Sequence, residues 1–560
     1  MRIAVVERDV CNPKKCEWLC QRVCPVNRTG KECIKQGEDG KPVIDEELCV
    51  GCGICVRKCP FSALSVVNLP QAKEEPVHRY LPNGFCLFGL PLLQPNQVLG
   101  LLGPNGIGKT TILNLLSGQL KPNLGKPEAT WEEVLERFKG TQLKPYLEKL
   151  AEGKIRLAYK PQKVDLIPKY WKGEVGKYIR NKDLLKRLGL RPEKQIEGLS
   201  GGELQLLAIA ACLQKDAEFY FFDEPSSFLD VEKRFRVAKL IRELAERKWV
   251  VIVEHDLALL DYLADTVCIL YGRPGSFGIC SRPYGVRAGI NSWLSGYLKD
   301  ANVRIREEAI TFEVYAKESL KAEVLLEYPE FKFSWDGFQL ETQAGDIKAG
   351  EVIGILGPNA TGKTTFIRLL AGELEPDWKP GLRLAYKPQL LKAGPERVRD
   401  FLPDLKLLGY LGLETLAERR LEDLSGGELQ AIYTLHTLQT DSELMLLDEP
   451  SAFLDAELRL RIAKLIRQKV EEKGTAGFVV DHDLLFLDAI SDRLIVFSGE
   501  PGRNGRASQP LKLKEGMNLF LKGMGITFRR DPETGRPRAN KPGSQLDREQ
   551  RERGEYYYSK

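Results

Sequence analysis

The sequence predicts an α/β fold in which two tandem P-loop nucleotide-binding domains follow a small α+β domain rich in cysteine. Three observations predict it: the length of 560 residues, the recurrence of four long motifs, and a dense group of cysteines near the N-terminus. At about 150 residues per domain, this length corresponds to three or four domains. Hydrophobic residues make up 43% of the chain and charged residues 29%, a composition that excludes a disordered or fibrous protein.

The N-terminal sequence, the length of the apolar runs and the distribution of charge indicate where the protein acts. The N-terminal stretch MRIAVVERDV lacks the pattern of a signal peptide, and no apolar run approaches the roughly 18 residues of a membrane span. We therefore expect a cytoplasmic protein with no membrane contact. The net charge is +5, and residues 499–560 alone hold 14 Lys and Arg against 8 Asp and Glu, so any attraction to a polyanion is concentrated at the C-terminal end.

The cysteine-rich segment has the spacing of an iron–sulfur protein. Nine of the 13 cysteines lie between Cys11 and Cys59, a density that indicates metal binding in a reducing compartment. The run from Cys49 to Cys59 reads C-x-x-C-x-x-C-x-x-x-C-P, the bacterial ferredoxin pattern for a 4Fe-4S cluster. The group from Cys11 to Cys24 has wider spacing but the same C-x-x-x-C-P ending.

In proteins with two such clusters, the last cysteine of each run ligates the other cluster. This rule predicts two 4Fe-4S clusters, one held by Cys11, Cys16, Cys20 and Cys59 and the other by Cys49, Cys52, Cys55 and Cys24. Cys33 is left over as a thiol outside both clusters. Zinc is the rival metal, and the Cys-Pro endings argue against it.

The remainder of the chain contains one large domain twice. The recurring motifs are GPNxxGKTT at Gly103–Thr111 and Gly357–Thr365, RLAYKPQ at Arg156–Gln162 and Arg383–Gln389, LSGGELQ at Leu199–Gln205 and Leu424–Gln430, and DEPSxFLD at Asp223–Asp230 and Asp448–Asp455. A period of about 225 residues is too long for a solenoid and indicates tandem duplication of a whole domain.

Only the first copy carries an insertion. The lysines of the two GPNxxGKTT motifs are 254 residues apart, whereas the glutamines of RLAYKPQ are 227 apart, so the first copy holds 27 extra residues between these motifs. Within them, WEEVLERFKG and QLKPYLEKLAEG have helical periodicity and are separated at a glycine. We expect a helix–loop–helix at about 128–154 that is either a neutral surface insertion or a binding element.

Each copy is followed by a second repeat rich in glycine and proline. The pattern G-x-P-G-x-x-G-x-x-S-x-P starts at Gly272 and again at Gly499. Its density of turn residues is typical of connectors with a fixed shape. We expect a pair of hinges between the domains, the second of which continues as a basic C-terminal tail.

The GPNxxGKTT motifs predict phosphate binding. Each lies between a predicted apolar strand and a predicted helix, the context that a P-loop requires. Glycines allow backbone N–H groups to surround phosphates, the lysine reaches the β- and γ-phosphates, and the following threonine ligates Mg²⁺. The residues expected to bind nucleotide here are Gly103, Asn105, Gly106, Gly108, Lys109, Thr110, Thr111, Gly357, Asn359, Gly362, Lys363, Thr364 and Thr365.

A predicted strand that ends in two carboxylates, FYFFDE or LMLLDE, follows in each copy. Asp223 and Asp448 are expected to hold Mg²⁺ through water, and the glutamate after each is expected to orient or deprotonate the attacking water. The next predicted strand ends near a histidine that could contact a γ-phosphate. The residues expected to act in catalysis are therefore Glu224, His255, Glu449 and His482.

These motifs resemble those of ABC ATPases, in which LSGGELQ is the signature. The order Walker A, Q-loop, signature, Walker B, D-loop and H-loop is complete in both copies. The resemblance implies that two cassettes close head-to-tail, so Lys109 would face Ser425 and Lys363 would face Ser200. It implies nucleotide contacts from Gln162, Ser200, Gly201, Gly202, Gln389, Ser425, Gly426 and Gly427, D-loop aspartates Asp230 and Asp455, and Mg²⁺ ligation by Thr110, Gln162, Thr364 and Gln389.

In that family an aromatic residue upstream of Walker A usually stacks on adenine. Tyr80 and Phe85 are the candidates in the first copy, and Tyr328, Phe331 and Phe333 compete in the second. Core packing is the alternative for each of them.

The whole chain resembles the ABC-E family, the RNase L inhibitor type of eukaryotes and archaea. The resemblance implies ATP-driven splitting of ribosomes after termination or rescue, with the iron–sulfur domain as the moving element. It implies contact with the protein and RNA of the small ribosomal subunit and with a release factor or Pelota-like rescue factor, by a monomer whose cassettes pair within the chain. The side chains expected to contact ribosomal RNA are Arg287, Arg503, Arg506, Arg529 and Arg530.

The sequence departs from this family after LSGGELQ, where members often have Arg and this chain has Leu206 and Ala431. The predicted fold is α/β, with two tandem ABC-type P-loop nucleotide-binding domains plus an N-terminal α+β ferredoxin-like iron–sulfur domain. The predicted bounds are 1–70 for the iron–sulfur domain, 71–271 for the first cassette, 272–307 for the first hinge, 308–498 for the second cassette, and 499–560 for the second hinge and tail.

Three other functions fit part of the pattern. The ATPase subunit of a transporter would need membrane-spanning partner subunits and gives no reason for the cysteines. A redox-coupled ATPase would show a change of cluster potential on nucleotide binding. An ABC-F translation factor has twin cassettes but no cysteine domain.

Overall fold

The computed structural model of the protein describes residues 2–6, 11–37, 39–45, 48–61, 63–68, 75–80, 84–312, 323–374 and 378–557. The predicted boundary between residues 70 and 71 lies outside these ranges. Within them, no helix combines the length and the apolar content that a bilayer crossing requires.

The N-terminal domain is a small α+β unit. Its elements are β1 (Arg2–Val6), α1 (Pro13–Cys16), α2 (Leu19–Val23), α3 (Pro25–Arg28), β2 (Ile34–Gln36), β3 (Pro42–Ile44), α4 (Ile54–Lys58) and β4 (Leu64–Asn68). Strand β1 pairs antiparallel with β4, and β2 pairs antiparallel with β3. The core is small and four of its buried members are Cys20, Cys24, Cys33 and Cys55. A core of this size gains stability from a group that cross-links its thiols.

The first cassette is built on a nine-stranded sheet with the order β5-β6-β12-β11-β7-β10-β9-β8, and β13 is added against β11. Its strands are β5 (His78–Arg79), β6 (Cys86–Phe88), β7 (Val98–Leu102), β8 (Leu157–Lys160), β9 (Phe219–Asp223), β10 (Trp249–Val253), β11 (Thr266–Arg273), β12 (Phe277–Cys280) and β13 (Tyr284–Gly285). Its helices are α5 (Lys109–Leu116), α6 (Trp131–Arg137), α7 (Lys144–Ala151), α8 (Ile167–Tyr170), α9 (Val175–Tyr178), α10 (Lys182–Leu188), a 3₁₀ turn (Ile196–Gly198), α11 (Gly201–Leu213), α12 (Val231–Ala245), α13 (Leu257–Leu263) and α14 (Val286–Ser295). A hairpin of β14 (Tyr297–Leu298) and β15 (Val303–Arg304) follows.

The second cassette repeats this architecture in the order β17-β18-β25-β24-β20-β23-β22-β21, with β26 against β24. Its strands are β16 (Val324–Tyr328), β17 (Phe331–Trp335), β18 (Phe338–Thr342), β19 (Gly345–Lys348), β20 (Val352–Leu356), β21 (Leu384–Lys387), β22 (Leu444–Asp448), β23 (Ala476–Val480), β24 (Arg493–Ser498), β25 (Asn504–Ala507) and β26 (Leu511–Lys512). Its helices are α15 (Lys363–Leu370), α16 (Val398–Phe401), α17 (Lys406–Leu411), two 3₁₀ turns (Glu414–Leu416 and Leu421–Asp423), α18 (Gly426–Gln439), α19 (Ala456–Lys473), α20 (Leu484–Ile490) and α21 (Leu513–Met524).

The central strands of both sheets are parallel and deeply buried. Every residue of β7, β9, β20 and β22 is buried, as expected for parallel strands covered on both faces by helices. Because the carboxyl ends of parallel strands meet at one edge of a sheet, the P-loop, the acidic pair and the histidine of each cassette lie together.

The helix–loop–helix predicted for the first cassette is present as α6 and α7. Helix α6 begins at a capping box, and Val134 and Leu147 are fully buried in the core of the cassette. The hydroxyl of Tyr146 donates to the carbonyl oxygen of Leu116 at the end of α5. These contacts fix the two helices to the cassette and leave the turn at 139–142 exposed.

The glycine- and proline-rich repeats are part of the sheets, so the prediction that they act as hinges from their first residue was wrong. Strands β11 and β12 pair antiparallel across Pro274 and Gly275, and β12 continues the sheet beside β6. Strands β24 and β25 do the same in the second cassette. Gly275 and Gly502 have φ of 73° and 77°, the left-handed backbone that a tight turn uses.

The basic C-terminal end, which the sequence analysis describes as a tail, is folded against both cassettes. It contains β27 (Phe528–Arg530), β28 (Pro537–Ala539) and α22 (Gln545–Glu552). Arg530 pairs with Asp488 at 2.9 Å, and Arg287 pairs with Asp531 at 2.9 Å. A charge count along the sequence does not reveal such internal pairing, because the partners are far apart in the chain.

The remaining arginines that were expected to contact RNA differ in exposure. Arg503 and Arg506 are exposed and pair with neighbouring glutamates, contacts that contribute little to stability. Arg529 is half-buried. A surface contact with phosphate is therefore open to Arg503 and Arg506, whereas the buried Arg530 is already paired.

A buried aspartate at the same place in each cassette anchors the C-terminal segment (residues 525–557). Asp261 in α13 and Asp488 in α20 are repeat-related. Asp261 accepts hydrogen bonds from Arg536 and, at 2.9 and 2.8 Å, from Arg538. The side chains of Asp261 and Arg536 are fully buried. Because Asp488 binds Arg530, the C-terminal segment contacts equivalent helices of both cassettes.

We predict that Asp261→Ala releases the C-terminal segment, because it leaves the buried guanidinium group of Arg536 without its counter-charge and Arg538 with Asp531 alone. Breaking a buried pair costs roughly 3–5 kcal/mol, so hydrogen-exchange protection of β27 and β28 should fall about 100-fold or more. The control is Glu500→Ala, which removes the partner of exposed Arg503 and should change protection little. Unchanged protection in Asp261→Ala would contradict the anchoring role.

Candidate active sites

Each P-loop surrounds the ammonium group of its lysine. Lys109 Nζ donates to the carbonyl oxygens of Gly103 at 2.8 Å and Pro104 at 2.7 Å, and Lys363 makes the same two bonds in the second cassette. The glycine before each lysine begins the helix with φ of 101° or 95°, which favours glycine. Burial lowers the pKa of both lysines to about 8. A cation at a helix N-terminus forms a binding site for phosphate.

A threonine hydroxyl and a buried carboxylate lie together behind each P-loop. Thr110 Oγ1 donates to Asp223 Oδ2 at 2.8 Å, and Thr364 lies beside Asp448. Burial raises the pKa of both aspartates to about 6. Oδ1 of each aspartate is buried and accepts no hydrogen bond within the described ranges. Such an oxygen beside a threonine hydroxyl fits the oxygen ligands that Mg²⁺ prefers.

The glutamate after each of these aspartates is held by the Q-loop and faces the histidine. Glu224 Oε1 accepts a hydrogen bond from Gln162 Nε2 at 2.8 Å and lies 3.5 Å from His255 Nε2. The equivalent distances in the second cassette are 2.8 and 3.4 Å. Glu224 and Glu449 have φ of 46° and 50°, a strained backbone that in proteins clusters at functional sites.

At neutral pH these glutamates are ionised and the histidines are neutral. Burial alone would raise the pKa of Glu224, but His255 and Lys109 lower it to about 2. Burial lowers the pKa of His255. The pKa values of Glu449 and His482 are lowered as well, the histidine's chiefly by burial. An ionised carboxylate accepts a hydrogen bond from water, and a neutral imidazole donates one to a phosphate oxygen.

Each P-loop contacts the D-loop of the opposite cassette. The backbone N–H of Asn105 donates to Asp455 Oδ2 at 3.1 Å, and that of Asn359 donates to Asp230 Oδ2 at 3.1 Å. The two aspartates are the N-cap residues of α19 and α12. The cassettes therefore lie head-to-tail, as the resemblance to ABC ATPases implies.

The signature serines begin two helices at the same interface. Ser200 is the N-cap of α11 and Ser425 is the N-cap of α18, each in a capping box. The glycines after Ser200 lie against Phe228, whose ring packs edge-to-face on Phe453 of the other cassette with centroids 5.5 Å apart. The sequence analysis missed this aromatic pair, although the phenylalanine recurs within DEPSxFLD.

The departure from the family pattern after LSGGELQ has a structural explanation. Leu206 in α11 and Ala431 in α18 are buried in the hydrophobic core that the helices form with the sheets. Apolar residues at these positions pack in the interior, and the signature serines before them keep their place at the helix N-termini.

The aromatic candidates near the P-loops fall into two groups. Tyr80 Oη donates to Thr111 Oγ1 at 3.4 Å, and the Phe85 ring lies against Gly108, so both stay candidates for an adenine contact. Tyr328 and Phe331 are buried in the core of the second cassette, and Phe333 packs partly against it. For Tyr328 and Phe331, the expectation of an adenine contact was wrong, because their rings fill the core.

Beside the second P-loop lies an aromatic ring that was not among the candidates from the sequence. Phe338 lies against Gly362 as Phe85 lies against Gly108. Trp335 is opposite Phe338 in the β17–β18 hairpin and is 74% exposed. A predicted hairpin over this stretch could have indicated Trp335 and Phe338 as opposite residues. The two copies are too dissimilar upstream of Walker A for their sequences to align Phe338 with Phe85.

The described thiols of the N-terminal domain lie in two neighbourhoods. Burial and then the neighbouring Cys11, Cys16 and Cys59 raise the pKa of Cys20 to about 11. For the second group, one cavity is lined by Cys24, Cys49, Cys52 and Cys55. Cys24 therefore lies with the thiols of the distant run and not with its sequence neighbours. Cys24, Cys49, Cys52 and Cys55 fit the ligand set of a 4Fe-4S cluster, and the cavity has a fifth thiol besides them.

Cys33 lies in the same cavity, beside Cys24 and Cys49. It is 1% exposed, and burial together with these neighbours raises its pKa. In the described part of the chain, no three His, Cys, Asp or Glu side chains converge as ligands of a single metal ion do. The fit to a cluster therefore rests on the shared cavity and on which thiols are neighbours.

Three family models match the chain. A model described as ABC transporter matches residues 92–227 and 340–384. A model described as a possible Fer4-like domain in RNase L inhibitor matches residues 1–32, and one for a 4Fe-4S binding domain matches residues 42–65.

Curated relatives match over the full length. An uncharacterized ABC transporter ATP-binding protein of Methanocaldococcus jannaschii is 48% identical, over 100% of this chain and 98% of its own. Translation initiation factor RLI1 of Saccharomyces cerevisiae is 42% identical, and ABC transporter E family member 1 of Arabidopsis thaliana is 41% identical, with the same coverage.

Solved structures match as well. A model of ribosome-bound archaeal Pelota and ABCE1 contains a chain 50% identical to this one, with a TM-score of 0.90 over 100% of this chain and 99% of that chain. A complex of the archaeal ribosomal stalk protein aP1 with the archaeal ribosome recycling factor aABCE1 gives 48% identity and a TM-score of 0.84, over 87% of this chain and 100% of that chain.

Proposed function

Because this chain belongs to the ABC-E family, the RNase L inhibitor type of twin-cassette ATPase, we propose that closure of its two ATP sites moves the iron–sulfur domain and splits the ribosome. The protein is a ribosome-recycling ABC ATPase that hydrolyses ATP and works with the ribosome and a Pelota-like factor. Ribosomes place its action in the cytoplasm. The observation that carries the proposal is the pair of D-loop to P-loop bonds, which join the two sites within one chain.

The P-loop residues bind the phosphates of ATP. The N–H groups of Gly106, Gly108 and their neighbours surround the β- and γ-phosphates, and Lys109 or Lys363 neutralises them. Mg²⁺, when bound, neutralises charge on the β- and γ-phosphate oxygens. The residues that would hold it are Thr110, Gln162 and Asp223 in the first cassette and Thr364, Gln389 and Asp448 in the second. Their unpartnered carboxylate oxygens support this assignment.

The glutamate and the histidine act on the attacking water and the γ-phosphate. Glu224 is ionised, and the hydrogen bond from Gln162 fixes its position. Its carboxylate orients the attacking water by accepting a hydrogen bond from it. Neutral His255, whose Nε2 lies 3.5 Å from Glu224 Oε1, donates a hydrogen bond to a γ-phosphate oxygen. Glu449 and His482 do the same in the second site.

The signature serine of the opposite cassette completes each site. Ser425 supplies a helix N-terminus to the nucleotide held by Lys109, and Ser200 supplies one to the nucleotide held by Lys363. The D-loop contacts support this pairing, because they bring each P-loop to the opposite cassette. ATP therefore favours the closed arrangement, since it interacts with both cassettes only when they meet.

The iron–sulfur domain contacts the first cassette at the β11–β12 hairpin. Arg273 Nη1 donates to the carbonyl oxygen of Val66 in β4 at 2.6 Å. This hairpin also contacts the P-loop, because Gly275 N donates to the carbonyl oxygen of Gly106. A rearrangement of the first P-loop on nucleotide binding would thus be transmitted to the iron–sulfur domain through one short turn.

We predict that Glu224→Gln combined with Glu449→Gln lowers ATP turnover by about 100- to 10,000-fold, because the neutral amide no longer orients the attacking water as a carboxylate does. Nucleotide binding should persist. The single variants should differ, since the first cassette carries the insertion and contacts the iron–sulfur domain through Arg273. Glu246→Gln, an exposed change at the C-cap of α12, is the control. Full turnover in the double variant would remove both glutamates from catalysis.

We propose that the N-terminal domain holds two 4Fe-4S clusters with crossed ligands. Anaerobically purified protein should contain about eight iron and eight sulfide per chain. Cys24→Ser should damage the cluster of the distant run, Cys49, Cys52 and Cys55, because Cys24 shares their cavity. Electron paramagnetic resonance of the reduced protein shows which signal is lost. Cys33→Ser, in the same cavity, is the matched control and should keep both signals. Bound zinc without acid-labile sulfide would contradict the proposal.

The insertion α6–α7 is proposed to contact the small ribosomal subunit. The second cassette keeps every ATP motif without it, so shortening only the exposed turn at 139–142, which leaves the buried Val134 and Leu147 in place, should leave basal ATPase within a few-fold. Sedimentation of post-termination ribosomes with release factor and ATP should show subunit splitting by the full protein and weaker splitting by the shortened one. Contacts of the Lys139 turn with phosphate should also make subunit binding depend on salt. Equal splitting by both proteins would identify a neutral surface insertion.

A further inference from the structure

Four charged side chains lie at the centre of the interface between the cassettes. They are Arg234, Asp256, Arg459 and Asp483, and their side chains are 12%, 7%, 13% and 7% exposed. The internal repeat relates the first two to the last two. None of them belongs to a motif that the sequence analysis assigned to ATP, so their burial in charged form has a purpose that the reaction described above does not supply.

Each aspartate sits directly after a catalytic histidine. Asp256 is the N-cap of α13 and follows His255, and Asp483 is the N-cap of α20 and follows His482. The helices α13 and α20 pack on one another across the interface. A change at either aspartate would therefore move the adjoining histidine.

The arginines lie on the helices that begin at the D-loops. Arg234 is one turn beyond the N-cap Asp230 of α12, and Arg459 is one turn beyond the N-cap Asp455 of α19. Residues four positions apart lie on the same face of a helix. Each arginine thus points to the interface that its D-loop aspartate already contacts.

Arg234 joins the two cassettes directly. Its Nη1 donates to Asp256 Oδ2 of its own cassette at 3.1 Å and to the backbone carbonyl oxygen of His482 in the other at 3.2 Å. Asp230, at the start of the same helix, accepts the N–H of Asn359 from the second P-loop. Helix α12 therefore holds the second ATP site at two points, its P-loop and its histidine.

The relation is not symmetric. Arg459 Nη1 donates to Asp483 Oδ2 at 2.8 Å within its own cassette. In the described part of the chain, it makes no bond to the carbonyl oxygen of His255 that would match the one from Arg234. The bond across the interface therefore serves the second site.

Asp256 and Asp483 can lie near one another only with both arginines beside them. Burial and then the nearby Asp483 raise the pKa of Asp256. Although burial alone would lower the pKa of Arg459, Asp483 and Asp256 raise it. Two carboxylates in a buried interface repel unless cations lie between them. The packing of α13 on α20 therefore depends on this charge arrangement.

We propose that Arg234 is a positioning residue for hydrolysis in the second ATP site, where it acts from the first cassette by holding the carbonyl group of His482. The imidazole of His482 then stays beside Glu449 only while the cassettes are closed. Because a hydrogen bond from a charged donor is stronger than a neutral one, this single bond can set the histidine's position. The proposal rests on the catalytic roles given above to Glu449 and His482.

The test measures each site separately. In the Glu224→Gln background only the second site can hydrolyse ATP, and in the Glu449→Gln background only the first can. Single-turnover hydrolysis is compared with and without Arg234→Gln in both. We expect about a 10-fold loss in the second site, the size expected for one hydrogen bond from a charged group, and less than about a two-fold loss in the first. Arg234→Lys, which keeps a cationic donor, should recover part of the loss.

Opposite outcomes separate this role from a structural one. If Arg234 only supports its own cassette, its loss leaves Asp256 unpaired beside His255, so the first site should suffer more, and the proposal is overturned. Equal losses in both sites, or no loss in either, overturn it too. The matched control is Arg459→Gln, which breaks the equivalent pair without a bond across the interface and should leave the first site within about two-fold of its value. Hydrolysis that persists in the Glu224→Gln and Glu449→Gln double variant would instead refute the catalytic assignments.

Discussion

The backbone N–H of Asn105 donates to Asp455, and the N–H of Asn359 donates to Asp230, so each P-loop is bound by an aspartate of the other cassette. This exchange dictates much of the remaining structure. It requires two cassettes of the same architecture, turned so that the carboxyl edges of their sheets face one another. It also makes the interface polar, because loops that bind phosphate cannot be covered by an apolar surface. The buried ion pairs Arg234–Asp256 and Arg459–Asp483 lie in this polar interface, where each charge has a partner.

The C-terminal segment stabilises this arrangement from the side. It places arginines on Asp261 in the first cassette and on Asp488 in the second, the same position of the repeat. Three of its arginines, Arg530, Arg536 and Arg538, are therefore used inside the protein to hold its own cassettes. The turn of the insertion and Arg503 and Arg506 of the second repeat are among the exposed basic positions.

Function follows from where the N-terminal domain is attached. The β11–β12 hairpin contacts the iron–sulfur domain through Arg273 and the first P-loop through Gly275. A nucleotide-dependent movement at the interface can therefore reach the cluster domain without a long connector. The second cassette has the equivalent hairpin, β24–β25, but the N-terminal domain precedes the first cassette and contacts its hairpin. The same architecture thus provides an ATP site in both cassettes and an attachment for the iron–sulfur domain in the first. This asymmetry suits a machine that pushes one part against a ribosomal subunit.

The sequence by itself determined the duplication, the nucleotide motifs and the two cysteine groups, because each depends on residues close together in the chain. Strand, loop and helix follow directly in GPNxxGKTT, and the Cys-Pro endings carry their own spacing. Only the tertiary structure decided that Phe338 lies beside the second P-loop while Tyr328 and Phe331 fill the core, and that Cys33 shares a cavity with Cys24. It also decided which acidic groups the arginines of the C-terminal segment pair with. Arg536 and Asp261 are 275 residues apart, and Arg234 meets His482 across 248 residues. Ion pairs and bonds of this kind are set by distances in space, and no local pattern of residue types records them.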